Sequence, residues 1–158
     1  MKENKKNEDF WYDRAMYWCS KREMCCSDIK AKLQKADVNT NDISTIIKKL
    51  VSEKFIDEIR FTRAFVHDKL EFQKWGLLKI KQALYFKGIS EENITEAIQN
   101  VDKESYLTRL EEISRSKLKS IKAENVYEKN QKLLRFLASK GVSTEDAYKI
   151  LKRLKTNE

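Results

Sequence analysis

Residues 76–101 read GLLKIKQALYFKGISEENITEAIQNV, and this stretch decides the fold. Six apolar residues in it follow helical spacing on either side of a Lys-Gly pair: Ile80, Leu84, Ile89, Ile94, Ile98 and Val101. The same pattern occurs 51 positions earlier at Ile29, Leu33, Val38, Ile43, Ile47 and Leu50, and 53 positions later at Leu133, Leu137, Val142, Ala147, Leu151 and Leu154. A repeat of about 50 residues indicates one supersecondary unit used three times, each packing against its neighbour.

The composition favours helices throughout. The chain has 158 residues with no proline and only three glycines, which is typical of long helices joined by short turns rather than of a β architecture. We expect a first repeat over 9–55, a second over 56–101 and a third over 102–158, preceded by a disordered polar tail over 1–8. The sequence therefore predicts an all-α protein of three tandem three-helix repeats in an elongated, curved array.

Caps and apolar spacing place the helices. In the second repeat they predict helices over about 57–72, 76–86 and 90–101. The same plan predicts helices over about 103–121, 125–139 and 143–154 in the third repeat, and over 10–20, 27–35 and 41–53 in the first. The first repeat has Ala36-Asp37 where the others have Lys-Gly. Because glycine supplies the left-handed residue that ends a helix, either Asp37 adopts that conformation or the turn differs.

Several function classes are disfavoured by what the chain lacks. Three cysteines, two of them adjacent, do not form a disulfide framework and fit a reducing cytoplasm. The single histidine, His67, lies far from the cysteines, so we expect no metal site. No apolar run is long enough to span a membrane, and the N-terminus lacks the apolar segment of a secretory signal. Because no nucleophile elbow, phosphate loop or set of paired carboxylates is present, we expect no enzyme, no catalytic residue and no cofactor.

The basic excess is concentrated at the two ends of the chain. The formal net charge is +8, with 12 basic and 9 acidic side chains over 1–55 and 14 and 9 over 102–158. A basic balance of this size favours a polyanionic partner such as nucleic acid or a nucleoprotein.

Two arginines of the second repeat are candidate contacts. Arg60 and Arg63 lie three positions apart and share a helical face. The planar guanidinium suits carboxylate and phosphate alike, so both could contact an acidic partner surface or a phosphate. The alternative is an intramolecular pair with Asp57 or Glu58 that holds one repeat against the next.

A lysine-rich stretch of the second repeat is a further candidate. Residues 73–89 contain no acidic side chain and carry Lys74, Lys79, Lys81 and Lys87, with Trp75 and Tyr85 between them. Basic side chains interleaved with aromatic rings can follow a nucleic-acid backbone while the rings stack on bases. The alternative is a solvated lysine face with Trp75 packed at a junction between repeats.

The third repeat has the densest positive charge. In a helix over 103–121, Arg115, Lys119 and Lys122 follow i, i+4, i+7 spacing and share one face. A second set, with no acidic residue between its members, contains Lys129, Lys132, Arg135 and Lys140. Neutralising several phosphates would make binding steeply dependent on salt. A solvated face without a partner is the alternative for both sets.

The opening of the second repeat resembles a known signature. Residues 55–66, FIDEIRFTRAFV, resemble the motif of the RecX family, small regulators of the RecA recombinase, in which an acidic pair precedes Arg-Phe and then Arg-Ala. Downstream matches are Gly76, Ile80, Leu84, Lys87-Gly88-Ile89, Ile94, the KLLRFL segment over 132–137 and Lys140-Gly141-Val142, together with Ser27, Ile29 and Leu33 in the first repeat. Two departures are Leu77-Leu78, where many members have consecutive arginines, and the turn of the first repeat, which lacks glycine.

The resemblance implies a non-catalytic regulator that binds the RecA filament on single-stranded DNA, lies along its groove and suppresses ATP hydrolysis, strand exchange and filament extension. Three linked repeats can contact several protomers at once, and linked weak contacts gain from effective concentration. The expected partners are therefore the RecA filament and single-stranded DNA, with double-stranded DNA as a further candidate. We expect a cytoplasmic monomer. The alternative is a basic helical DNA-binding protein that acts without a recombinase partner.

Overall fold

The computed structural model describes residues 2–156, which form nine α-helices and no strand. The helices are α1 (Lys2–Lys21), α2 (Cys26–Lys35), α3 (Thr40–Ser52), α4 (Glu58–Glu71), α5 (Leu77–Phe86), α6 (Glu91–Gln99), α7 (Lys103–Leu118), α8 (Val126–Ser139) and α9 (Thr144–Thr156). They follow one another in three groups of three. The all-α repeat fold predicted from the sequence is confirmed.

Polar residues stop and start most of these helices. The side chains of Asp57 and Ser90 accept hydrogen bonds from backbone N–H groups in the first turns of α4 and α6, which satisfies donors that the helix itself leaves unpaired. The equivalent turns after α2, α5 and α8 place Asp37, Gly88 and Gly141 in the left-handed region, with φ of 59°, 78° and 87°. The first repeat therefore keeps the turn and uses aspartate for it, which is one of the two alternatives left open by the sequence.

Two predicted boundaries are wrong. Helix α1 begins at Lys2, so residues 2–8 are helical rather than a disordered tail; this segment has no apolar face to reveal a helix, but it contains neither proline nor glycine to stop one. Helix α7 ends at Leu118 rather than near residue 121. There the Ser120 N–H and hydroxyl both donate to the Lys117 carbonyl, at 3.0 and 2.9 Å, and close a turn. Met1 and residues 157–158 lie outside the described residues.

The apolar side chains form two cores rather than three. The first contains Ile29, Leu33, Ile46 and Leu50 of the first repeat, together with Ile56 at the start of the second. The second is continuous through the second and third repeats and includes buried residues of each: Ile80, Leu84, Ile94, Tyr106, Leu133, Leu137 and Ile150. Cys25, at the start of α2, is the buried residue of the first repeat that packs into this second core. Because they share one core, the second and third repeats are more firmly joined than the first and second.

Backbone contacts join the second repeat to the third. The Gly76 N–H donates to the Lys140 carbonyl at 2.6 Å, and the Leu78 N–H donates to the Gly141 carbonyl at 3.0 Å. The Leu77 N–H donates to the Tyr106 hydroxyl at 3.1 Å. The start of α5 is therefore capped by the next repeat, and two glycines allow the main chains to approach this closely.

Side-chain ion pairs join the first repeat to the second. Lys87 Nζ lies 2.7 Å from Asp28 Oδ1, and Arg60 Nε lies 2.5 Å from Glu23 Oε1. Burial raises the pKa of the Asp28 carboxyl, but hydrogen bonds from Lys87 and Cys25 and the charge of Lys87 outweigh this effect, so its pKa lies below the usual value of 3.8. Asp28 is therefore ionised at neutral pH and paired across the junction.

We expect Asp28→Asn to lower the free energy of unfolding by about 1–2 kcal/mol at neutral pH, because it removes the negative charge that pairs with Lys87 and leaves only the weaker acceptor of a neutral amide. The folded-state pKa of Asp28 is depressed, so its contribution is complete above the ordinary value and is lost as pH falls through the folded value. Urea unfolding across this range should show the gap between wild type and variant closing in acid. Glu92→Gln, an exposed carboxylate on α6, is the matched control. A gap that stays constant down to acid pH would contradict the ion-pair explanation.

The molecule is elongated. Its accessible surface is 10579 Å², whereas a compact protein of its mass, 18.8 kDa, exposes roughly 8,300 Å². The excess is that expected of repeats arranged in a row. Across the described residues, every helix is too short or too polar to span a lipid bilayer.

Candidate polyanion-binding groove

The end of α7, the turn that follows it and α8 border a shallow, open groove of about 600 Å³ in the third repeat. We call it the cationic groove. Its lining residues are Lys117, Ser120, Ile121, Lys122, Lys132, Arg135, Phe136 and Ser139. Four of these eight described lining residues are basic and none is acidic. The floor is apolar, with Ile121 and Phe136 packed against the second core.

Intramolecular contacts hold two of the four cations in place. Lys132 Nζ donates to the Lys122 carbonyl at 2.5 Å and lies 3.1 Å from Glu128 Oε1. Lys117 Nζ lies 5.1 Å above the centre of the Phe136 ring, within the range of a cation–π contact. The side chains of Lys122 and Arg135 are exposed. The groove therefore combines two positioned cations with two that are open to a ligand.

The groove is positively charged at neutral pH. Glu128, which pairs with Lys132 at its edge, accepts a hydrogen bond from the Glu124 N–H and another from Lys132, and these lower the pKa of its carboxyl. Four cations and one carboxylate leave a local charge of +3. A concave surface of this sign, with no acidic lining residue among those described, suits phosphates or clustered carboxylates.

The structure only partly brings together the residues predicted in the third repeat. Lys122, Lys132 and Arg135 line the groove, but Arg115 pairs with Glu111 at 2.8 Å on α7, and Lys119 and Lys129 are exposed outside the lining. The predicted face of Arg115, Lys119 and Lys122 does not exist because α7 ends before it is complete. Lys117 was missed. Its charge was visible in the acid-free segment between Glu112 and Glu124, but the packing that places α7 beside Phe136 of α8 was not.

Arg60 and Arg63 are both in intramolecular pairs. Arg60 pairs with Glu23 across the first junction, lies 3.9 Å from Asp57, and donates to the carbonyl of Lys54 at 3.3 Å. Arg63 pairs with Glu96, from α4 to α6. The hydrogen bond to its carboxylate raises the pKa of each guanidinium. Arg60 lies near the predicted partner Asp57, but the pair that crosses the junction is with Glu23, which was not predicted from the sequence. Both arginines keep exposed surface and stay candidate contacts.

The four lysines of the second repeat are dispersed. Lys74 occupies a left-handed turn before α5, with φ of 55°. Lys79 Nζ lies 4.5 Å from the centre of the Trp75 ring, and Lys87 pairs with Asp28. Lys81 is exposed on α5. They therefore do not form one cationic surface, and Trp75 packs against the second core, as the alternative expected.

Within residues 2–156, no group of three or more His, Cys, Asp or Glu side chains could hold a metal ion. The cysteines are free. Burial, followed by a hydrogen bond with Glu58 and its charge, raises the pKa of the Cys26 thiol to about 12, and burial likewise raises the pKa of Cys19 and Cys25. All three thiols are therefore protonated at neutral pH, which is the unreactive form.

Comparison with known proteins identifies the family. A family model described as RecX, second three-helix domain, matches residues 57–98, which cover most of α4–α6. The chain is 33% identical over 129 residues to the regulatory protein RecX of Clostridium beijerinckii, which covers 80% of this chain and 60% of that protein. It is 36% identical over 126 residues to that of Clostridium tetani, covering 78% and 57%. The chain thus spans less than two thirds of the length of these relatives.

Solved structures show the same fold. A crystal structure of RecX from Lactobacillus salivarius has a TM-score of 0.84 at 19% identity and covers 99% of both chains. A second crystal structure, of a regulatory protein RecX, has a TM-score of 0.85 at 23% identity and covers 95% of this chain and 74% of the other. Three-helix repeats, the signature over 55–66 and the matched second domain agree with one another. The chain belongs to the RecX family of regulatory proteins.

Proposed function

We propose that this chain is a non-catalytic regulator of the RecA recombinase. It binds the RecA filament on single-stranded DNA along the filament groove and inhibits ATP hydrolysis, strand exchange and filament extension. The observation that carries the proposal is membership of a family whose members from two clostridia, at 33% and 36% identity, are named regulatory proteins. The proposal places the protein in the cytoplasm as a monomer.

The elongated shape supports this mechanism. A helical filament presents the same surface on each successive subunit, and a ligand that bridges subunits must extend from one to the next. The surface excess over a compact protein and the shared core of the second and third repeats give an extended body whose two C-terminal repeats hold a fixed relation. Each repeat can contact a different subunit, and the rigid link raises the effective concentration of the second contact.

The cationic groove supplies the polyanion contact of the proposal. Lys117, Lys122, Lys132 and Arg135 line it, and we assign DNA phosphates as their ligand. Cations that neutralise phosphates release counterions, so this contact weakens steeply as salt rises. Contacts between protein surfaces that bury apolar groups depend less on salt. The two kinds of contact can therefore be separated by ionic strength.

The test measures ATP hydrolysis by RecA on single-stranded DNA, with and without the protein, at a salt concentration where the protein alone no longer binds DNA. We expect stoichiometric protein to suppress most of the hydrolysis under these conditions, because the inhibition acts through RecA. RecA with DNA and nucleotide at the same salt is the control.

Unchanged hydrolysis would contradict the proposal. It would favour the second candidate function, a basic DNA-binding protein without a recombinase partner, which the cationic groove also supports.

A further inference from the structure

Helix α5 exposes a stripe of apolar and aromatic side chains. Tyr85 is 73% exposed, Phe86 is 77% exposed and Leu78 is 51% exposed. Lys81 and Gln82 are exposed between them. The spacing i, i+3, i+4, i+7, i+8 places all five on one side of the helix, opposite the buried residues Ile80 and Leu84. We call this set the α5 face.

The other two repeats show that the fold does not need this face to be aromatic. The equivalent residues of α2 are Ser27, Lys30, Ala31, Gln34 and Lys35, and those of α8 are Gln131, Leu134, Arg135, Ala138 and Ser139. The positions equivalent to Tyr85 and Phe86 are exposed in all three repeats, and the buried positions beneath them are apolar in all three. Two exposed rings at positions that elsewhere hold Gln-Lys and Ala-Ser therefore have a role other than folding.

We propose that the α5 face docks into an apolar groove, rimmed by carboxylates, on a protein partner. A convex helix with anchors at these spacings fits the mode in which an amphipathic helix lies in a groove. Tyrosine is among the residues that carry most of the binding energy in protein interfaces. The chain from residue 72 to residue 90 contains no acidic residue and presents Lys81 within the face, so a partner with acidic groups at its rim is complementary.

The geometry favours a protein over single-stranded nucleic acid at this face. Proteins that stack bases place their rings in a groove that is also cationic. Here the cationic groove lies on α7 and α8 of the third repeat, and the α5 face has one lysine. The planes of the Tyr85 and Phe86 rings are inclined at 70°, with centroids 6.1 Å apart, so they do not present parallel surfaces to successive stacked bases.

The inference rests on the proposed function, because the partner is then a subunit of the filament. It divides the two kinds of contact between two surfaces. The cationic groove binds phosphate in a salt-dependent way, and the α5 face binds protein through apolar burial. Removing the rings should therefore weaken binding to the filament without changing binding to bare DNA.

The test uses Tyr85→Ala with Phe86→Ser, which introduces the residues of the third repeat at these positions. Binding is measured to RecA filaments assembled on single-stranded DNA with a non-hydrolysable ATP analogue, at the salt concentration where the protein alone does not bind DNA. Binding to bare single-stranded DNA is measured at low salt. We expect filament affinity to fall by at least about thirtyfold, as for an interface hot spot, with affinity for bare DNA changed less than about twofold.

A second variant, Tyr85→Gln with Phe86→Lys, introduces the residues of the first repeat and should give the same loss. Val126→Ala with Tyr127→Ala removes an exposed apolar pair from α8 and should leave filament affinity unchanged. Melting curves of all variants should match that of the wild type.

If the wild type binds the filament and both α5 variants bind it with the same affinity, the inference is overturned but the proposed function is not. An equal loss on bare DNA would assign the rings to base stacking and would also overturn it. A wild-type protein that does not bind the filament would contradict the proposed function itself.

Discussion

Gly141→Ala should lower the free energy of unfolding by about 2–5 kcal/mol. Two effects add at this residue. Its φ of +87° lies in the left-handed region, which costs an L-residue about 1–2 kcal/mol. A Cβ there would lie less than 3.0 Å from the Cβ, N and Cα atoms of Lys79, and crowding of this kind costs about 1–3 kcal/mol. The sum is a large share of the roughly 5–15 kcal/mol that stabilises a typical domain.

The other two glycines separate these effects. Gly88 has a similar φ of +78°, but among the described residues nothing lies within 4 Å of a Cβ added there, so Gly88→Ala should cost about 1–2 kcal/mol from strain alone. Gly76 has an ordinary φ of −76°, but an added Cβ would lie less than 3.0 Å from the Gly141 carbonyl. Urea unfolding of all three variants measures the separate costs of backbone strain and of crowding. If Gly141→Ala and Gly88→Ala lowered the free energy of unfolding equally, the main chains of the second and third repeats would not approach as closely as described.

The sequence reveals which residues each repeat buries, but not which residues of the next repeat it contacts. The apolar pattern predicted the helices because Ile80 and its equivalents must face a core, and glycine after a helix predicted the left-handed turns at Gly88 and Gly141. From the sequence, Gly76 could be placed only at the start of α5 and in the family pattern. That it lies against Gly141 in the next repeat depends on how two helix pairs pack, and helical periodicity carries no information about the neighbour.

The two junctions differ because equivalent positions of the repeats hold different residues. Gly76 and Lys79 at the second junction correspond to Cys25 and Asp28 at the first. A glycine admits the backbone of the following turn, whereas Cys25 carries a side chain that packs into the second core. Asp28 provides a carboxylate for Lys87. Side-chain ion pairs therefore join the repeats at the first junction, whereas backbone hydrogen bonds and the Glu71–Arg109 ion pair join them at the second.

The candidate site was predictable as charge but not as shape. The acid-free segments of the third repeat identified Lys122, Lys132 and Arg135, and these three do meet in the cationic groove. The helical face drawn through Arg115 failed because two hydrogen bonds from Ser120 end α7 early. A turn closed by one serine is a local feature that a run of lysines does not reveal. Lys117 lies within α7, and it enters the groove because α7 packs beside Phe136 of α8.

Replacing three of the four cations of the groove should have the largest effect on DNA binding. In Lys117→Gln with Lys122→Gln and Arg135→Gln, three charges are removed, and Lys132 is kept because it bonds the Lys122 carbonyl and Glu128. Each phosphate contact on a single strand contributes about 0.7 to the slope of log affinity against log salt, so the slope should flatten by about 2. Loss of the same counterion release lowers the affinity for single-stranded DNA at about 0.1 M salt by about a hundredfold. Titration of single-stranded DNA at several salt concentrations measures both quantities.

Net charge alone does not predict this result, and a matched variant separates the two causes. Lys30→Gln with Lys48→Gln and Lys152→Gln removes the same three charges from exposed positions on α2, α3 and α9. If the groove gathers phosphate contacts, this variant keeps nearly the wild-type slope, because isolated surface charges more than about 8 Å from the bound strand are screened at physiological salt. Equal flattening in both triple variants would mean that DNA responds to the overall positive charge of the protein, and the groove would then have no special part in binding.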